Sequence, residues 1–181
     1  NSYELLNNDS KGYAIIELND KEYWILGHTK TSKNGALILK IDDQGNEKWF
    51  SYLPNLKCNF ANNMTVLNDT EFIISGQNEN QLFVSKIDKK GKILWQYNYF
   101  DDTKYHRAYD IKKTNDNAII LVGNSTKTEN HSFDVLMIKL SQDGKEKWVK
   151  KFGNEKNEVA RDIKQNKKSE YIISGYALVD K

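Results

Sequence analysis

Cysteine and proline each occur once in the 181 residues, and histidine three times. A lone Cys58 excludes an intramolecular disulfide and offers no metal-ligand spacing; it reads as a buried or half-buried structural thiol. No apolar run approaches the ~20 residues of a membrane-spanning helix. Helical periodicity longer than two turns is also missing. Charge of one sign is scarce: 27 Lys and Arg stand against 25 Asp and Glu, a net +2. That is no electrostatic case for nucleic acid or an acidic membrane. The pairs Lys89-Lys90, Lys112-Lys113, Lys150-Lys151 and Lys167-Lys168 read as solvated turns and strand ends that discourage edge-to-edge aggregation. No nucleophile elbow, phosphate loop or HExxH pattern occurs. Asp20, Asp69 and Asp116 read as turn residues, not paired carboxylates. The first residue is Asn rather than Met, which reads as a processed or trimmed piece whose signal peptide, if any, is lost.

What is present is a ten-residue pattern, Lys-apolar-Asp/Ser-x-x-Gly-x-x-x-Trp, at residues 40–49, 86–95 and 139–148. Each copy follows an apolar run, the signature of a buried strand. Asp42, Asp88 and Ser141 open a turn, since a side-chain oxygen there can accept from the backbone N–H two residues on. Gly45, Gly91 and Gly144 fall where a hairpin hands over to a left-handed residue, a conformation that glycine adopts without a Cβ clash. The returning strand carries Trp49, Trp95 or Trp148. A tryptophan at a constant place reads as a wedge between neighbouring units, rather than as an aromatic ligand platform.

Other landmarks recur with the same period. Apolar runs end at Gly27, Gly76, Gly123 and Gly175, spaced 49, 47 and 52 residues apart. Ala61, Ala108 and Ala160 lie fifteen residues before their Gly, while Ala14 lies thirteen before Gly27, which predicts a shorter first turn. One unit then holds four short strands. Its first turn, at 19–20, 68–69, 115–116 or 167–168, is polar, and Asn and Asp tolerate the left-handed geometry expected there. Four strands in about 50 residues with one docking Trp per unit predict an all-β fold, a β-propeller of four-stranded antiparallel blades. Three blades are complete, at about 13–53, 61–99 and 107–152. A partial fourth covers about 159–177, and residues 3–6 (Tyr3 to Leu6) read as the end of a preceding outer strand. The whole chain reads as one propeller region, a fragment of a longer ring. The other two arrangements are a ring made from two copies and a small ring closed by the N-terminal strand. An open ring would expose an apolar blade face.

The pattern Lys-Ile-Asp-x-x-Gly-x-x-x-Trp, with its Ala and its run into Gly, resembles the blade repeat of secreted and surface bacterial β-propellers. It is similar also to the tryptophan-docking blades of pyrroloquinoline-quinone enzymes and of outer-membrane assembly lipoproteins. The resemblance implies an extracytoplasmic protein (secreted, periplasmic or on the cell surface). The quinoprotein repeat usually has one more residue between its Asp and Gly, and its cofactor site uses an adjacent cysteine pair that is absent here. No cofactor, neither quinone nor calcium, is therefore carried over.

In a propeller the loops leading into first strands and those joining second to third strands share the face around the channel mouth. The lead-in positions are Gly12-Tyr13, Asn59-Phe60, His106-Arg107 and Glu158-Val159; the second loops are 28–34, 77–81 and 124–134. His106 and Arg107, with Glu158 and Asn59, form the candidate ligand-binding set, an anion or carboxylate contact. The plainer reading is an Arg107–Glu158 bridge between blades. His28, His106 and His131 lie in different blades and do not converge as a metal site would require. The expected function is a non-catalytic binding or scaffold module presenting this face to protein or glycan. The alternatives are part of a propeller hydrolase or lyase with its site at the channel mouth, and a purely structural repeat region of a surface protein.

Overall fold

The computed structural model describes residues 10–18, 21–29, 35–53, 56, 58, 60–102, 105–126, 132–154 and 156–178. The expected strand at Tyr3 to Leu6 lies outside them. Among the described residues there are fourteen strands and no helix. Sheet 1 holds β1 (Ser10–Glu17), β2 (Tyr23–Thr29), β3 (Gly35–Ile41) and β4 (Glu47–Tyr52). Sheet 2 holds β5 (Phe60–Asn68), β6 (Glu71–Asn78), β7 (Gln81–Asp88) and β8 (Ile93–Tyr99). Sheet 3 holds β9 (His106–Lys113), β10 (Ile119–Thr126), β11 (Phe133–Leu140) and β12 (Glu146–Phe152). Sheet 4 has two strands, β13 (Asn157–Gln165) and β14 (Tyr171–Leu178). Each sheet is an antiparallel meander with its strands in chain order.

The third hairpin of each full sheet follows from its turn chemistry. Asp42 Oδ1 accepts from the backbone N–H of Gln44 and Asn46, and Asp88 Oδ1 from Lys90 and Lys92. In sheet 3 the Ser141 hydroxyl oxygen accepts from the Lys145 N–H. Gly45, Gly91 and Gly144 all lie in the left-handed region, with φ of 82°, 79° and 82°. The first hairpins differ from expectation. Their left-handed residue is Lys21, Asn117 or Ser169, none of them in the polar pair itself. In sheet 2 neither Asn68 nor Asp69 is left-handed; the Asn68 side-chain oxygen accepts from the Thr70 N–H instead.

The register also corrects the reading of the first unit. Gly27 pairs with Gly12, as Gly76 pairs with Ala61, Gly123 with Ala108 and Gly175 with Ala160. One residue bulges out after each of these small residues: Tyr13, Asn62, Tyr109 and Arg161. Gly12, not Ala14, is thus the small residue of sheet 1, at the same fifteen-residue spacing, and the first turn is not shortened. The lead-in pair of sheet 1 moves to Ser10-Lys11. Close approach explains the partner glycine: a Cβ on Gly123 would run into the Arg107 carbonyl oxygen.

Alternation within each strand sends apolar side chains to both faces of a sheet. Three separate cores result. Trp24, Leu26 and Ile38 of sheet 1 meet Met64, Phe72 and Phe83 of sheet 2. Ile73, Leu82 and Val84 of sheet 2 meet Ile111, Ile119 and Leu136 of sheet 3. Ile120, Val122 and Met137 of sheet 3 meet Ala160 and Ile163 of sheet 4. Trp24 stacks on Phe72 at a centroid distance of 4.1 Å. Cys58 packs at the edge of the first core, and burial pushes its thiol up to about 11.

Neighbouring sheets come closest along their first strands. The backbone of β5 approaches β1, β2 and β3; β9 approaches β5, β6 and β7; β13 approaches β9, β10 and β11. Towards the fourth strands the tryptophans fill the space. The Trp49 ring packs on the first core and faces Gly91 of sheet 2. Trp95 covers Gly144 of sheet 3, and its indole N–H donates to the Gln142 carbonyl at 3.1 Å. Trp148 meets Tyr171 of sheet 4 edge-on. Gly144 thus has two tasks: it takes the left-handed conformation and leaves room for the Trp95 indole, whereas at Gly91 the nearest neighbour of a Cβ would be Leu53.

A polar latch ties the first strands together at the bulges. Asn62 donates to the Ala108 carbonyl, and Asn63 to the Tyr109 carbonyl and to Asp110 Oδ1. The buried Asp110 carboxylate then accepts from the backbone N–H of Ile111 and, across the next gap, of Ile163. Sheets 2, 3 and 4 are linked in sequence by this one chain of bonds.

Candidate functional site

A cavity of about 300 Å³ opens between sheets 3 and 4, at the end where first strands begin and second strands finish. β9 contributes Arg107 and Tyr109, β10 contributes Asn124, and β13 and β14 contribute Val159 and Tyr176. Arg107 and Tyr109 both line the cavity, Tyr109 from the bulge of β9. The Arg107 guanidinium lies 5.2 Å from the Tyr109 ring centre. Arg161, the bulged residue of β13, lies 4.1 Å from the same ring and 5.4 Å from that of Tyr176. It also donates to the Tyr176 hydroxyl at 3.2 Å. Two cations thus converge on one aromatic ring, each gaining from its negative face. Among the described residues, no carboxylate forms an ion pair with either arginine.

Asn124 adds an acceptor. Its residue is 2% exposed, and its side-chain oxygen has no hydrogen-bond partner. A buried amide oxygen left unpaired costs about 1–3 kcal/mol, so a donor brought into the cavity would relieve it.

The four residues expected to form the site are distributed. Arg107 lines the cavity. His106 points the other way, is 1% exposed, and its Nε2 lies 3.0 Å from Asp101 Oδ1 with Tyr99 edge-on to its ring. Burial lowers the His106 pKa, against an opposing pull from Asp101. Glu158 turns back towards the loop after β12, where its Oε2 accepts from the Asn154 N–H at 3.4 Å. The Arg107–Glu158 bridge is not among the ion pairs of the described residues. Asn59 and His131 lie outside the described residues, as do residues 127–131 of the expected loop 124–134; Asn124 to Thr126 belong to β10, and Phe133 and Asp134 to β11. His28 sits on β2 beside Phe60. Among the described residues, no three His, Cys, Asp or Glu side chains gather as a metal site would need.

Sequence reasoning missed Tyr109, Arg161, Tyr176 and Asn124. The available signal was the register itself: Arg161 and Tyr109 hold the same bulge place in adjacent sheets. No family model and no curated protein matches the chain.

Proposed function

We propose that the chain is a non-catalytic, extracytoplasmic binding or scaffold module. Its sheets stand as blades around a common axis, as in the bacterial surface and secreted propellers its repeat resembles, and one loop face is offered to protein or glycan. The arrangement draws support from the first strands, which pack against one another while the fourth strands are spaced by indoles. A stack of that form is narrow on one side and wide on the other. Propellers are built from four-stranded meanders of this kind. The observation that carries the binding role is the open cavity of about 300 Å³ at the loop end, lined by Arg107 and with Arg161 lying against its Tyr109 and Tyr176 rings; among the described residues neither arginine is paired with a carboxylate. Concave, mostly apolar sites with a few converging polar groups are where small ligands and chain segments bind.

The test is a screen of the immobilised chain against glycan and protein arrays. It is repeated with Arg107→Gln at the loop end and Lys145→Gln at the opposite turns. Binding that Arg107→Gln weakens and Lys145→Gln leaves alone supports the reading. Binding unaffected by Arg107→Gln, or turnover of a bound ligand, overturns it.

A further inference from the structure

We infer that the cavity between sheets 3 and 4 takes an acidic sugar residue of the uronic type, its carboxylate held by Arg107, which lines the cavity, together with Arg161, whose guanidinium lies against the lining rings of Tyr109 and Tyr176. The inference rests on the binding role proposed above and names its ligand class. Three features of the cavity select that chemistry. The two guanidinium groups converge on the Tyr109 ring at 5.2 Å and 4.1 Å. Guanidinium presents N–H pairs in a planar fork that matches a carboxylate, and among the described residues neither fork is already used on one. Next, the buried Asn124 side-chain oxygen lacks a donor, and it shares the cavity with Arg107. A ligand that satisfies both needs a carboxylate and a hydroxyl a few ångströms apart on one small body. Finally, Tyr105, Tyr109, Val159, Tyr176 and Leu178 give the cavity largely apolar walls, as the C–H side of a pyranose ring requires. A cavity of about 300 Å³ lies at the small end of ligand sites, room for one residue rather than an extended chain.

Arg161 is exposed and is held by its ring contacts with Tyr109 and Tyr176 and by its hydrogen bond to the Tyr176 hydroxyl. Both arginines are cations, so an anion bound beside them is favoured electrostatically. The same reasoning predicts a salt-sensitive affinity, because an exposed ion pair is screened within about 10 Å at 0.1 M ionic strength.

The experiment is titration of the full chain with D-glucuronate by calorimetry or ligand-detected NMR. D-glucose serves as the neutral counterpart and N-acetylalanine as a chain-terminal carboxylate. Saturable glucuronate binding at least tenfold tighter than glucose is expected. It should weaken tenfold or more in Arg161→Gln and in Arg107→Gln, and fall again between 50 and 500 mM salt. Arg161→Gln is a surface change, so an unaltered melting temperature separates lost binding from lost fold. Equal binding of glucose and glucuronate overturns the inference, as does glucuronate affinity unchanged in both arginine variants. N-acetylalanine binding more tightly than glucuronate also overturns it, in favour of a peptide terminus. No binding by any of the three probes overturns the sugar assignment. The binding role stands or falls separately, on whether an array ligand responds to Arg107→Gln.

Discussion

Gly144 and Trp95 show how much one residue position can carry. Gly144 sits at φ 82°, and a Cβ there would lie 2.8 Å from the Trp95 ring. Gly144→Ala therefore combines a left-handed backbone penalty of about 1–2 kcal/mol with overpacking of about 1–3 kcal/mol. A loss of about 2–5 kcal/mol in urea unfolding is expected. In the double variant Gly144→Ala/Trp95→Phe the smaller ring returns the steric part, so the two changes should cost less together than their sum. Additive costs would mean the indole and the turn do not press on one another. His106 gives a second test at this scale. Burial lowers its pKa from the ordinary 6.5, so the unfolded chain binds the proton more readily. Its contribution is full above pH about 6.5 and is lost as pH falls towards the lower folded value. Stability should drop between pH 7.5 and 5.5, and His106→Gln should flatten that slope. The left-handed glycines were legible in the sequence because the turn is local: Asp, two residues, Gly. The pairing of His106 with Asp101 was not, since it depends on how the loop after β8 folds back. Nor was Arg161 as a site residue, since its partners Tyr109 and Tyr176 come from other strands.

Among elements, the first strands do more than their hydrophobic pattern announces. Ala61, Ala108 and Ala160 marked where they start, and the observed β5, β9 and β13 begin one to three residues earlier. Sheet 1 escaped this reading because its small residue is Gly12 rather than an alanine, at the same fifteen-residue spacing, and Ala14 stood in as a false landmark. A bulge, which adds one residue to one strand only, follows the small residue in every sheet. The bulge also positions the latch. Asp110 holds the Ile111 and Ile163 N–H groups with different oxygens, at 2.9 and 3.0 Å. Asp110→Ala strips both buried donors of their acceptor, at about 1–3 kcal/mol for each. A total loss of about 2–5 kcal/mol is expected. Amide exchange should rise first at Ile163 in β13, whose tie to sheet 3 runs through that carboxylate. Asp110→Asn keeps one acceptor oxygen and should cost less, with exchange raised at only one of the two amides. Equal protection of Ile163 in wild type and Asp110→Ala would mean the latch does not join the sheets.

For the whole molecule, stability should be graded from the middle outward. Among the described residues, sheets 2 and 3 each bury apolar side chains against two neighbouring sheets and sheets 1 and 4 against one, although Leu37 and Leu39 on the other face of sheet 1 are also buried. Structures whose units touch only adjacent units gain stability from each interface separately. Two isoleucines at the same register place measure the difference. Ile120 of β10 pairs with Lys112 and is fully buried; Ile172 of β14 pairs with Lys164 and is 60% exposed. Ile120→Val should cost about 0.5–1.5 kcal/mol, and Ile172→Val a few tenths at most, as for surface changes generally. Ile15 on β1, 61% exposed, should behave like Ile172. Hydrogen exchange extends the comparison to the backbone, because amides open in cooperative units whose free energies follow local burial. Protection should be highest in β6 and β10 and lowest in β1 and β14. A blade arrangement that this chain closes by itself in solution would cover both end faces. It would then protect β1 and β14 as strongly as β10 and make Ile172→Val as costly as Ile120→Val. Measured on dilute monomer, graded protection therefore identifies an open stack, and uniform protection a closed ring.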